Sequence, residues 1–228
     1  MALRLASYNV HRAIGRDRRK EPARILGVLR EIDADVVALQ EVEAHDLGGD
    51  MLAWLAAETG MRAIAGTTLV RHDGRYGNGL LTRCEINSTQ LVDLSYRNRE
   101  PRGAIAADLQ LNGSGTLRVV ATHLGLRPAE RREQVERLVK LFTWQEQDRS
   151  VLMGDLNEWF LWGRPLKHLH RYFAATRAVA TFPSRRPIFA LDRVWTHPGS
   201  ILRELKAHDS ALARVASDHL PLVATLEV

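Results

Sequence analysis

Two short segments of this 228-residue chain carry the side chains most suited to phosphoester chemistry. Gly154-Asp155-Leu156-Asn157 follows the apolar run Ser150 to Met153, and Ser217-Asp218-His219 stands just before the strand-like run Leu220 to Val228. Gln40-Glu41 after Val36 to Leu39, and Thr122-His123 after Leu117 to Ala121, repeat the habit upstream. Carboxylates, amides and imidazoles placed at strand ends are a common way to build a metal-assisted phosphoester-cleaving site.

Each residue type has a task in that chemistry. Hard cations such as Mg²⁺ or Mn²⁺ take oxygen ligands, and a catalytic site supplies few carboxylates so that water and substrate complete the shell. Glu41 and Asp218 are the candidate carboxylate ligands. Asp155 and Asn157 alternate on an extended segment, so both can face one phosphate, orient water and bind developing charge. A local Asx turn is the competing reading of the same two residues. His123 and His219 are the candidate imidazoles, with Asp192 expected to hold His219 in one tautomer.

The elements that must position these groups follow from periodicity. Strand-like runs recur at Leu3 to Val10, Val36 to Leu39, Arg62 to Ala65, Gly79 to Arg83, Ile105 to Leu111, Leu117 to Ala121, Val151 to Met153, Val194 to Thr196 and Leu220 to Leu226. Helical spacing predicts helices over Pro22 to Ile32, Gly49 to Thr59 and Pro128 to Gln147. The last should bury Val135, Leu138, Val139 and Phe142 and turn Glu130, Arg131, Arg132 and Glu133 outward. The order suggests two similar halves meeting at the hairpin signal Asn112-Gly113-Ser114-Gly115, and helices outside two packed sheets would satisfy both. A single domain over residues 1–228 is expected.

Composition narrows the class. With 45% hydrophobic residues the chain can bury a sizeable core. It has no uninterrupted apolar stretch of roughly eighteen residues and no signal-peptide layout, so an unprocessed cytoplasmic protein without a transmembrane segment is expected. The single cysteine, Cys84, excludes an intramolecular disulfide and a cysteine-based zinc cluster, and reads as a buried packing residue. Net charge of +5 favours an anionic partner, though the basic clusters taken singly read as solvated faces.

In order along the chain, these residues resemble the motifs of the endonuclease/exonuclease/phosphatase superfamily, the DNase I-like fold. Ser7-Tyr8-Asn9-Val10 resembles its first motif, Leu39-Gln40-Glu41-Val42 its metal-ligand motif and Tyr76-Gly77-Asn78-Gly79 its glycine-asparagine strand. Thr122-His123-Leu124, Gly154-Asp155-Leu156-Asn157, Leu191-Asp192-Arg193-Val194 and Ser217-Asp218-His219-Leu220-Pro221 complete a set spanning almost the whole chain. The resemblance implies an α+β, four-layer α/β/β/α sandwich of two mixed sheets, with the site where the sheets meet. It implies Asn9, Glu41 and Asp218 around Mg²⁺ or Mn²⁺, and His123, Asp155, Asn157, Asp192 and His219 in catalysis. Whether Asp155 or His219 takes the proton stays open.

Departures from the pattern bear on the branch. The first motif lacks the tryptophan usual in abasic-site nucleases, and the tryptophan-cysteine before the Asp-Arg pair of inositol polyphosphate phosphatases is missing. The nearest match is to small bacterial members. Asn78, His11, Arg102 and Arg127 are candidate substrate contacts, the arginines because a guanidinium matches phosphate geometry. Trp159-Phe160-Leu161-Trp162 is expected to seal an edge of the core and, if exposed, to stack on bases or enter a lipid interface. The expected activity is a metal-dependent phosphodiesterase acting on nucleic acid or phospholipid headgroups. An inositol-phosphate monoesterase and a non-catalytic anion-binding module are the alternatives.

Overall fold

A strand buried on both faces reads as a continuous apolar run, because alternate side chains enter two different cores. In the computed structural model this is the state of the central strands. Ala6, Tyr8, Val37 and Leu39 pack outward with Ile25, Leu29, Leu52 and Leu55. Their neighbours Leu3, Leu5, Val36 and Ala38 pack inward with Leu117, Val119, Ala121, Val151 and Met153. Val120, Leu152 and Trp195 face the opposite way, onto Val135, Leu138, Leu166 and Leu169. Three apolar cores between four layers result.

The structure describes residues 2–45, 49–72, 74–111, 113, 115–142 and 149–228. The first half runs β1 (Ala2–Asn9), α1 (Pro22–Ile32), β2 (Val36–His45), β3 (Gly49–Asp50), α2 (Met51–Thr59), β4 (Arg62–Arg71), β5 (Gly74–Thr82), β6 (Glu85–Asp93) and β7 (Gly103–Leu111). The second runs β8 (Gly115–His123), α3 (Pro128–Leu138), β9 (Arg149–Asp155), α4 (Arg164–Leu169), β10 (Asp192–His197), β11 (Leu202–Ala207), α5 (Ala213–Ala216) and β12 (Leu222–Glu227). One sheet has the order β11-β12-β1-β2-β5-β4 with β3 beside β2, and the other β10-β9-β8-β7-β6. Among the described residues only β1–β2 and β8–β9 are parallel pairs, so both sheets are mixed. No helix among the described residues is long and apolar enough to cross a membrane.

The helix over Pro22 to Ile32 falls where its spacing predicts, with Pro22 in the first turn. Asp50 caps α2 by accepting from Ala53 N–H at 3.0 Å, and Gly60 ends it at φ 66°. The expected halves are not the two sheets. Leu111 of β7 pairs with Gly115 of β8 inside the second sheet, so β6 and β7 of that sheet precede the expected boundary, and the β11–β12 hairpin returns to the first sheet. Periodicity gives each strand two faces but does not say which sheet it joins. β6 and β11, absent from the sequence reading, are edge strands whose exposure leaves little apolar signal.

Three further expectations are corrected. The helix after Pro128 ends at Leu138 and tightens into a 3₁₀ turn over Val139–Leu141; residues 143–147 of the expected helix lie outside the described ones. Glu130 and Arg131 are buried rather than outward, because Arg131 reaches into the body of the protein. Trp159-Phe160-Leu161-Trp162 does not seal the core: Phe160 is 60% and Trp162 70% exposed. Cys84 is only partly buried, packing against the core between the sheets.

Candidate active site

Each parallel pair ends at the same edge of the sandwich. In the second sheet His123, Asp155 and Asp192 stand in register across β8, β9 and β10. In the first, Asn9 ends β1 opposite Gln40 of β2. Between Leu39 and Val42 the β2–β5 pairing slips, so Gln40 and Glu41 together oppose Asn78, and Glu41 adopts φ 59°. This bulge turns the Glu41 side chain to the sheet end. Gly154 at φ 152° admits no side chain, since a Cβ there would lie 1.9 Å from the Thr122 carbonyl oxygen. The close approach of β8 and β9 that sets Asp155 beside His123 therefore requires glycine.

Asp155 is the hub. Its Oδ2 accepts from Asn9 Nδ2 at 3.1 Å and its Oδ1 from the Asn157 backbone N–H at 2.9 Å. The Asx turn is thus present, and it serves the site by fixing the Asp155 carboxylate. Asn157 sits at φ 50°, with Nδ2 donating to the Leu124 carbonyl at 2.9 Å and lying 3.0 Å from His123 Nε2. The Asn9 amide also donates to Glu41 Oε1 at 3.1 Å, so it ties two carboxylates from different sheets together. Its oxygen accepts from the His11 backbone N–H at 3.0 Å.

The two imidazoles are in opposite electrical states. Burial and then the neighbouring Arg102 guanidinium push His123 down to about 3, so it is neutral. Arg102 Nη1 lies 3.0 Å from His123 Nδ1, and His123 Nε2 lies 3.0 Å from Asn157 Nδ2 and 3.6 Å from Asp155 Oδ2. For His219 burial also pulls downward, but Asp192 outweighs it, helped by Asp155 and Asp218, and raises the group to about 10. Its Nδ1–H donates to Asp192 Oδ2 at 2.8 Å, and its Nε2 faces Asp155 Oδ2 at 3.8 Å. Thr181 Oγ1 donates to that same Asp192 oxygen at 2.5 Å, and the Phe182 ring lies 4.8 Å from the imidazole. His219 is therefore held as an imidazolium between two carboxylates.

Asn9, Glu41, Arg102, His123, Asp155, Asn157 and His219 all line one cavity of about 380 Å³. Asp192 stands behind His219. Asp218 is outside the lining, its carboxylate 3.8 Å from His11 Nδ1. Asn78 lies buried to one side, donating to the Gly103 carbonyl at 3.0 Å, and Arg127 is exposed at the start of α3. The lining also includes Arg12, Glu43, Arg71, Tyr76, Glu100, Trp159 and Phe182. Apart from Trp159 the sequence reading gave these no role, and Arg12 could have been found only from its neighbour Asn9. His11, Arg12 and Ala13 have φ of 45°, 56° and 58°, a strained left-handed turn that carries Arg12 over the cavity.

Two clusters suit a cation differently. Asp155, Asp192 and His219 have atoms mutually within 4.8 Å, but the Asp192 oxygen and the His219 Nδ1–H already satisfy one another. Around Glu41 the ligand atoms on offer are carboxylate oxygens, its own and those of Asp155, which the Asn9 amide bridges. The acidity of Glu41 is weakened by burial, and by Asp218 and Asp155 against the opposing effects of Asn9 and His11. Crowded carboxylates of this kind fit a hard divalent cation.

A family model described as the Endonuclease/Exonuclease/phosphatase family matches residues 6–219. The chain belongs to this family. Membership indicates a phosphoesterase-type hydrolase, and the residues of the cavity suit that chemistry. The chain is 28% identical over 246 aligned positions to the uncharacterized protein YbhP of Escherichia coli (strain K12), covering 100% of this chain and 97% of that protein. In three dimensions it is similar to an endonuclease/exonuclease/phosphatase from Beutenbergia cavernae, with TM-score 0.81, 23% identity, and coverage of 100% of this chain and 72% of the other. It is also similar to D. rerio TDP2 complexed with a single-strand DNA product, with TM-score 0.74, 16% identity, and coverage of 100% and 99%. The expected DNase I-like, four-layer α+β fold is thus the observed one.

Proposed function

We propose that this chain is a divalent-metal-dependent phosphodiesterase in which water attacks phosphorus in line with the leaving oxygen. The observation that carries the reading is the placement of Asp155 between the neutral His123 and the charged His219, 3.6 Å and 3.8 Å away, at the floor of an open cavity. Asp155, fixed by Asn9 and Asn157, orients the water and accepts its proton as the new oxygen–phosphorus bond forms. The His123 ring, the Asn157 amide and Arg102 face the charge that grows on the phosphoryl oxygens. His219 supplies positive charge on the other side and returns a proton to the departing alkoxide as its bond to phosphorus breaks. A Mg²⁺ or Mn²⁺ ion held by Glu41, with Asn9 and Asp155 beside it, would supply Lewis-acid neutralisation of a phosphoryl oxygen.

A diester is favoured because apolar and cationic side chains line the cavity beside the catalytic groups and can take the substituents of a diester. Trp159, Phe182, Leu126 and Leu191 line it together with Arg12 and Arg71. Nucleic acid and phospholipid both offer such a diester. The test is nitrophenol release from bis-p-nitrophenyl phosphate and p-nitrophenyl phosphate, with Mg²⁺, Mn²⁺ or EDTA, in wild type and Asp155→Asn. Metal-dependent diester cleavage that falls at least ~10³-fold in the variant is expected. Cleavage of the monoester alone would overturn the diesterase reading in favour of a phosphatase.

A further inference from the structure

We propose that the apolar rim of the catalytic cavity docks the protein on the surface of an anionic phospholipid bilayer. Among the described residues ten large hydrophobic side chains are exposed, and six of them are Leu126, Trp159, Phe160, Leu161, Trp162 and Ile188. Leu126 and Trp159 line the cavity itself, and Ile188 precedes Phe189, whose ring packs 4.8 Å from that of Trp159. The apolar exposure is therefore gathered around the site. Soluble surfaces scatter such side chains singly, and a contiguous group marks an interaction surface.

The segment is held out rather than collapsed onto the core. Glu158 is anchored by Arg131 and accepts from the Phe160 backbone N–H at 3.2 Å. Gly163 closes the turn where a Cβ would meet the Glu158 carboxylate at 2.4 Å. Trp159 is pinned by edge contacts with Phe182 and Phe189, while Phe160 and Trp162 meet each other at 6.4 Å. Phe160, Leu161 and Trp162 are left 60%, 54% and 70% exposed.

Charge decides the kind of partner. From Trp159 to Leu191 there is no Asp or Glu, while Arg164, Lys167, Arg171, Arg177, Arg185 and Arg186 contribute six positive charges, more than the +5 net of the whole chain. All six are exposed. Apolar side chains flanked by cations match a surface of acyl chains beneath anionic headgroups. Nucleic acid fits less well, because Leu126, Leu161 and Ile188 offer no ring for base stacking. The substrate consequence, that a headgroup diester reaches Asp155 at the membrane surface, rests on the phosphodiesterase reading; the docking does not.

The test is sedimentation of the full chain with vesicles of phosphatidylcholine alone and of phosphatidylcholine with phosphatidylglycerol, followed also by tryptophan emission. Wild type is expected to bind the anionic vesicles with a blue shift, and Phe160→Ser/Trp162→Ser to lose at least about tenfold in partitioning. Arg164→Glu/Lys167→Glu should weaken binding to the anionic vesicles. Hydrolysis of the soluble nitrophenyl diester should be unchanged in both variants, which also shows that they fold. No binding of wild type to anionic vesicles, or equal binding by Phe160→Ser/Trp162→Ser, overturns the proposal. Retention of a single-stranded oligonucleotide without vesicle binding overturns it in favour of nucleic acid. Vesicle binding without diesterase activity would sink the catalytic reading and leave the docking intact.

Discussion

Replacing Arg131 with methionine tests how the loop that follows Asn157 is held. Arg131 and Glu158 side chains are each 3% exposed, and the Arg131 Nε and Nη2 groups donate to Glu158 Oε2 at 3.2 Å and 3.1 Å. Arg131 Nη1 also donates to the Leu126 carbonyl at 2.7 Å and the Gly125 carbonyl at 3.3 Å. In the variant Glu158 loses its paired guanidinium and keeps, among the described residues, the Phe160 N–H as a donor with the Arg193 charge in its vicinity, a change that costs up to about 3–5 kcal/mol. With an unfolding entropy of about 2.1 cal/mol/K per residue, that lowers Tm by roughly 6–10 °C for a chain of this length. Replacing both residues, Arg131→Met/Glu158→Met, removes the stranded charge and should recover at least about half of the loss. Urea unfolding of wild type, both single variants and the double variant gives the coupling directly. A loss under about 1 kcal/mol for Arg131→Met would mean that the pair behaves as a solvated surface bridge. Additive single losses would refute the stranded-charge argument.

Glu41→Gln should raise the Mg²⁺ concentration for half-maximal diesterase rate by about tenfold or more, and an unchanged titration would place the metal elsewhere. Asp192→Asn should lower kcat by at least ~10²-fold and alter the pH dependence of stability. The folded His219 group is raised from 6.5 to about 10, so its stabilisation is full below 6.5 and is lost as pH rises toward 10. Urea unfolding in EDTA at pH 6, 8 and 9.5 should show a wild-type decline that shrinks in the variant; parallel curves would count against the His219–Asp192 pair as its source. His123 works in the opposite direction. Its folded value of about 3 leaves it neutral, so the stability it allows is present above 6.5 and lost as pH falls toward 3, and His123→Gln should reduce the acid-limb loss measured in the same way.

Much of the fold was legible because its strands repeat with period two and its first helix with period 3.6. Pro22 to Ile32 and the buried face Val135, Leu138, Val139 and Phe142 needed no tertiary information. The edge strands β6 and β11 were not legible, since a strand buried on few positions gives little hydrophobic pattern. Nor could periodicity show that the β11–β12 hairpin crosses back beside β1.

The division is similar within the cavity. Local sequence was enough to nominate Glu41, His123, Asp155, Asn157, Asp192 and His219, because polar side chains that end apolar strands in a repeated order are unusual without a task, and the family resemblance added Asn9. Only the tertiary structure determined their states. Burial, and then Arg102 just before β7, make His123 neutral, while Asp192 and Asp155 make His219 charged from either side. Tertiary packing also drew Arg131 inward to Glu158 and left Phe160 and Trp162 in solvent, against the expectation from their types. A sequence specifies which groups are available and on which face of an element they sit. Their charge, burial and partners depend on distances between elements far apart in the chain, and those distances exist only once the sheets have packed.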